Sequence, residues 1–138
     1  MKRMLAIVLA GCGAAQAGPL HDAAPLAETR ASHTATRLAD GTVLVAGGFR
    51  KGPDGRSQIY TATTEIFDAG AFRPGPRMLE ARAGHSATLL ADGTVLVAGG
   101  WNDHGMLASA EILDPRRATF AAAGALGRPR GGATASRL

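Results

Sequence analysis

An all-β protein assembled from repeated antiparallel units is what this sequence predicts, and three observations carry the prediction. The stretch LADGTVLVAGG occurs twice without a difference, over residues 38–48 and 90–100. Turn formers are abundant and bulky side chains scarce: 138 residues include 19 glycines and only 4% aromatics, which suits short strands better than long helices. The apolar runs, such as TVLVA from Thr42 to Ala46, are β-branched and of strand length. At 46% hydrophobic and 19% charged residues, the chain lies in the soluble globular range and has the length of one ordinary domain. Its formal charge of +4 is dispersed among Asp and Glu without a basic block, so a nucleic-acid partner is not expected.

The first element is an export signal over residues 1–11. Lys2 and Arg3 form a basic start, Met4–Ala10 a short apolar run, and Gly11-Cys12 follow. The run is much shorter than the roughly 18 residues of a lasting membrane span. LAGC, Leu9–Cys12, resembles a bacterial lipobox and contains the single cysteine. That resemblance implies cleavage before Cys12, lipid attachment to its sulfur and a membrane anchor, with the outer membrane favoured because Gly13 is not an Asp. One cysteine makes no internal disulfide. Residues 12–29 are expected to be a linker with a candidate outer strand near Leu20.

Next comes the repeat. RASHTATRLADGTVLVAGGF from Arg30 aligns without gaps to RAGHSATLLADGTVLVAGGW from Arg82, 52 positions later. TTEIFD, ending at Asp68, corresponds to SAEILD, ending at Asp114, and Phe72 and Phe120 each stand ten residues before an Arg, Arg82 and Arg130. The units are therefore 30–81 and 82–129, and RGGATASRL over 130–138 starts a third. Within a unit, HTATRL alternates as a strand, and Asp-Gly supplies positive φ at both centres of a tight hairpin. Val-Leu-Val then forms a strand covered on both faces. Gly47-Gly48 and Gly99-Gly100 end that strand, a loop follows, and TATTEIF or ASAEIL forms a third strand before a fourth around Phe72 or Phe120. The Asp68–Phe72 spacing is two residues shorter than Asp114–Phe120, so the outermost strand of the first unit is expected to fray or shift. Four short strands in about fifty residues is the pattern of a propeller blade.

These units resemble kelch repeats in their bacterial form, with His-Ser/Thr-Ala-Thr, Asp-Gly, Val-Leu-Val-Ala-Gly-Gly and Ala-Glu-Ile-Leu-Asp-Pro. The resemblance covers nearly all of the chain after the signal. It implies two four-stranded antiparallel blades plus the start of a third, an incomplete β-propeller. It gives Gly47, Gly48, Gly99 and Gly100 the closing of the second strand, and Phe72 and Phe120 packing against the blade body. Two blades do not close a ring. Further blades or oligomerisation are required, and the terminal strands fit a truncated frame or fragment better than a head-to-tail ring.

Chemistry is sparse. His33 and His85 occupy equivalent positions, but Ala133 stands there in the third copy and no Cys or carboxylate cluster completes a metal site. Hydrogen bonding within the scaffold is the expected role. Glu65 with Arg82 or Arg30, and Glu111 with Arg130 or Arg82, recur with the repeat and read as structural ion pairs. VLVAGG has neither the GxGxxG continuation nor the Walker Lys of a phosphate cradle, and no cofactor is expected. Some secreted copper oxidases resemble these repeats, but they require tyrosine, histidine and a crosslinked cysteine, whereas here Tyr60 is the one tyrosine and Cys12 lies in the lipobox. The expected function is non-catalytic binding of a protein or glycan at the cell envelope. Contacts are expected from the variable loops 49–60 and 101–108: Arg50, Lys51, Arg56, Trp101, Asn102, Asp103 and His104. The alternative is the amino-terminal piece of a propeller enzyme, a carbohydrate or copper-dependent oxidase with its catalytic groups on further blades.

Overall fold

The computed structural model describes residues 24–137, so the signal segment, Cys12 and the candidate strand near Leu20 lie outside the described residues. Those residues form twelve strands and no helix. In the first unit β1 (Thr34–Arg37), β2 (Val43–Ala46), β5 (Thr64–Asp68) and β6 (Ala71–Pro74) make one antiparallel sheet in that order. The second unit repeats it with β7 (Ser86–Leu89), β8 (Val95–Ala98), β11 (Ser109–Asp114) and β12 (Thr119–Ala125).

The variable segments expected to be loops are hairpins of their own. β3 (Phe49–Lys51) pairs with β4 (Gln58–Tyr60), and β9 (Trp101–Asn102) with β10 (Gly105–Met106). Each leaves its sheet after the double glycine. Gly47 and Gly48 have φ of 62° and 99°, and Gly99 and Gly100 of 67° and 95°, a region that L side chains rarely enter. A Cβ on Gly47 would also run into the Arg82 carbonyl, and one on Gly99 into the Arg130 carbonyl. The pairs let neighbouring backbone come close as well as end the strand.

Three local expectations need correction. The Asp-Gly turns have positive φ at Gly41 and Gly93 only. They are three-residue loops, closed by Leu38 N–H to the Thr42 carbonyl and Leu90 N–H to the Thr94 carbonyl, both 2.8 Å, and the aspartate accepts hydrogen bonds instead of bending. Asp40 takes the Thr42 amide at 3.0 Å and hydroxyl at 2.7 Å. Second, β6 is short but pairs in unbroken register from Asp68↔Ala71 to Glu65↔Pro74, so it is not frayed. Ala69 and Gly70, with φ of 46° and 92°, make the tight turn that absorbs the missing residues. Third, residues 130–137 lie beside β7 without becoming a strand.

The two sheets pack face to face through opposite faces. In the first, Thr36, Leu44 and Ile66 lie in one register row, which enters the core together with Leu38 and Ala46. In the second, Val95, Val97, Leu113 and Phe120 supply the other wall, with Ala87 and Leu89 at its margin. Fully burying a Val, Leu or Phe side chain contributes about 1.5–3 kcal/mol, so this interface is the main apolar source of stability. Phe120 is in it. Phe72 instead packs against Phe67 on the opposite face of the first sheet, as a tilted pair with ring centroids 4.9 Å apart.

Candidate functional site

Two buried polar assemblies hold the units, and they settle the partner choice that sequence left open. The Arg30 guanidinium meets Glu65 at 2.8 Å and donates to the carbonyls of Gly47 and Thr63, each at 3.0 Å. Arg82 meets Glu111 at 2.8 Å and donates to the carbonyls of Gly99 and Ser109 at 2.8 and 3.0 Å. Each glutamate also accepts two backbone amides from the segment entering its unit, Ala27 and Glu28 in one case, Leu79 and Glu80 in the other. A buried charge needs this many partners to offset its desolvation. The pairs are within units, and every acceptor is part of the scaffold.

The histidines are scaffold residues as well. His85 Nε2 lies 2.9 Å from the Thr34 hydroxyl across the sheet boundary. Burial, then the nearby Arg82 charge, lowers its pKa to about 4, so it is neutral at ordinary pH. His33, half-buried, is also lowered, chiefly by burial. Among the described residues no group of three or more His, Cys, Asp or Glu is placed to hold a metal ion.

The exposed chemistry lies on the hairpins. Arg50 and Lys51 project from β3 and are exposed, as is Arg56 in its turn. That turn is braced by Asp54, whose carboxylate accepts the Arg56 amide at 3.0 Å and the Ser57 amide and hydroxyl at 2.9 and 2.8 Å. The same hydrogen bonds hold the Asp54 carboxyl below the usual range. Three cations therefore stand on a preorganised hairpin, with Phe49 and Tyr60 paired beneath them at 5.9 Å.

The second hairpin is tied down more tightly. A Cβ on Gly84 or Gly131 would fall within the Trp101 indole, so the ring lies closely over both glycines. Asn102 donates to the Ala81 carbonyl at 3.0 Å and to Glu80 at 3.3 Å, and accepts the His104 amide at 2.9 Å. Asp103 and His104 are exposed, while Trp101 and Asn102 are half-buried. Sequence had no signal for this, because Gly84 and Gly131 lie far from Trp101 along the chain.

At the opposite ends of the strands, sequence reasoning missed a cleft between the two sheets. A cavity of about 280 Å³ is lined by Leu38, Ile66, Arg73, Leu113 and Pro115, among others, and adjoins one of about 450 Å³ around Asp92, Asp114 and Arg116. Asp40, Asp92 and Asp114 each accept turn amides there, which accounts for these carboxylates structurally.

No family model and no curated protein matches the sequence. Among solved structures, that of YjhT has a similar fold, with a TM-score of 0.65 at 16% identity over 75% of this chain. The chain spans 40% of that protein's length. At such identity the likeness concerns the fold alone.

Proposed function

We propose that the chain is a kelch-repeat β-propeller protein of the cell envelope, lipid-anchored through Cys12, whose hairpin end is a non-catalytic binding surface for a protein or glycan. The two sheets are read as neighbouring blades, and the double glycines as the points where each hairpin leaves its blade. The observation that carries the binding reading is the contrast between scaffold and hairpins. Two units share eleven identical residues in β2 and β8 with their turns, yet the segments that follow differ in length, charge and bracing. A rigid scaffold presenting divergent loops is the usual arrangement for recognition. On the first hairpin, Arg50, Lys51 and Arg56 suit carboxylate or sulfate groups.

A glycan array of acidic and neutral oligosaccharides, probed with the purified chain, tests this reading. Selective binding to acidic glycans that disappears on neutralising Arg50, Lys51 and Arg56 supports it, and binding indifferent to all three removes the hairpin from the site. The anchor is tested separately by fractionating cells. Cys12→Ser should move the protein from the membrane to the soluble fraction.

A further inference from the structure

The cleft between the two sheets has apolar walls and one charge that the repeat does not account for. Leu38, Ile66 and Leu113, all buried, line the cavity of about 280 Å³ together with Pro76 and Pro115. Its outer wall is preorganised. Residues 74–76 are Pro-Gly-Pro, and proline fixes φ on either side of the glycine. Gly75 N–H donates to the Thr64 carbonyl at 2.9 Å, and the Thr64 hydroxyl donates to the Pro76 carbonyl at 2.7 Å. A Cβ on Gly75 would run into Thr64 Oγ1 and press on Ile66, so this segment lies closely over the first sheet.

Arg73 stands at the same cavity, and nothing in the scaffold requires it. On β6 it is the cross-strand partner of Ile66, which places it on the sheet face turned toward the second unit. The equivalent position of the second unit, opposite Ile112, is Ala121. Scaffold charges recur in both units, as Arg30 with Arg82, Glu65 with Glu111 and Asp40 with Asp92; Arg73 does not. It is exposed and makes no salt bridge among the described residues. Asp40 lines the cavity too. Thr42 is bonded to its Oδ1, which leaves Oδ2 for another donor. Those hydrogen bonds, and after them the Arg73 charge, hold the Asp40 carboxyl below the usual range. Opposite charges therefore flank the cavity without forming an ion pair.

We infer that this cleft binds a free α-amino acid with an apolar side chain, its carboxylate on Arg73, its ammonium on Asp40 and its side chain among Leu38, Ile66 and Leu113. A guanidinium takes a carboxylate through two parallel hydrogen bonds. The two flanking charges specify a zwitterion, since an acid without an amine would meet Asp40 as a like charge, and an amine without an acid would meet Arg73 as one. The orientation follows from the adjoining cavity, which Asp40 shares and Arg73 does not. Asp92 and Asp114 outnumber Arg116 there, so the Asp40 side is the anionic one. Size narrows the class further. A volume of about 280 Å³ lies at the lower bound of small-molecule pockets, roughly 300 Å³, and suits an amino acid instead of a sugar chain. This site is separate from the cationic hairpin, and neither depends on the other.

The test is isothermal titration calorimetry of the full chain with L-leucine and L-phenylalanine. Each is compared with glycine, with the same side chain on an acid lacking the amine, and with the same side chain on an amine lacking the acid. Saturable binding of the two amino acids is expected, with all three comparison compounds weaker by about tenfold or more. Arg73→Gln and Asp40→Asn should each weaken it by a similar factor, the scale of a hydrogen bond to a charged group. Both variants should melt as the parent does, because Arg73 is exposed and Asn keeps an oxygen for Thr42. Replacing Arg50, Lys51 and Arg56 with serine should leave amino-acid binding unchanged, which separates this site from the acidic-glycan reading. Absence of saturable binding overturns the inference. So does binding that Arg73→Gln and Asp40→Asn leave intact, or that the hairpin replacements abolish, because the amino acid would then sit elsewhere on the molecule.

Discussion

The two units share an identical strand and turn, and yet the leucine at its centre is sealed in one and half-exposed in the other. Leu44 and Leu96 have the same sequence neighbours and the same register, opposite Thr36 and Thr88 respectively. Among the described residues, only Leu44 has a sheet over it. Local sequence therefore sets the strand, the turn and the orientation of the side chain, whereas burial comes from the next unit. In a repeat architecture the interfaces between units carry much of the stability, and the two units should respond differently to the same substitution.

The largest effect is expected from the buried ion pairs, where removing one partner strands the other. Arg82→Ala should cost about 3–5 kcal/mol, the range for breaking a buried pair. Arg30→Ala should fall toward the low end of that range. Both side chains have a glutamate partner at 2.8 Å, but Arg82 belongs to the segment that passes between the sheets, and its carbonyl also takes the Gly48 amide. Urea denaturation of the two variants checks the order. Equal losses would mean that the sheets unfold together and that position in the chain is irrelevant.

Second in size is the pair of leucines themselves. Leu44→Ala should destabilise by about 3 kcal/mol, as truncations in packed cores do, and Leu96→Ala by less than about 1 kcal/mol because much of its surface is already in water. Identical losses in denaturation midpoint would show that the exposed face of the second sheet is covered in solution, and would refute the asymmetry directly.

Much of this was legible in the sequence, and the illegible part has a physical pattern. The strand periodicity and the glycine exits could be read because each depends on a residue and its immediate neighbours. The Arg–Glu pairs could be read as pairs but not assigned, since Glu65 lies within a plausible fold's reach of Arg30 and of Arg82, and only the entry segment's amides decide. The Asp-Gly turn was misread in detail because Asp40 uses its carboxylate on Thr42, and a three-residue loop meets that demand as well as a two-residue one. The β3–β4 and β9–β10 hairpins escaped because their short strands carry charges and glycines instead of alternating apolar residues. Trp101 over Gly84 and Gly131 escaped because the contact joins three places that only the packed units bring together.

A third difference between the units is electrostatic. Burial keeps His85 near pKa 4 in the folded state, against about 6.5 in the unfolded chain. Between those values the unfolded chain binds the extra proton and the folded chain does not. Stability is therefore intact above about pH 6.5 and is lost as pH falls toward 4, by about 2 kcal/mol at pH 5. His85→Gln should remove most of that slope, and His33→Gln, at a less buried position, should leave most of it. Thermal unfolding followed from pH 7 to pH 4.5 distinguishes them, and a slope that survives His85→Gln would place the responsible group elsewhere.

The smallest effect on stability is expected where the effect on binding is greatest. Arg50, Lys51 and Arg56 form no salt bridge among the described residues, and their side chains are exposed. Replacing all three with serine should shift stability by no more than about 0.5 kcal/mol per site, as surface substitutions do. The turn survives, because Asp54 holds it through the backbone amides of residues 56 and 57 and the Ser57 hydroxyl. Acidic-glycan binding should nevertheless disappear, and binding of the parent chain should weaken with added salt because the contacts are exposed. Trp101→Phe should do the reverse. It leaves a void over Gly84 and Gly131 and lowers the melting temperature, with the cationic hairpin and its binding unchanged. Loss of binding in both variants would mean that the two hairpins form one surface, and the contrast between a recognising first unit and a packing second unit would fail.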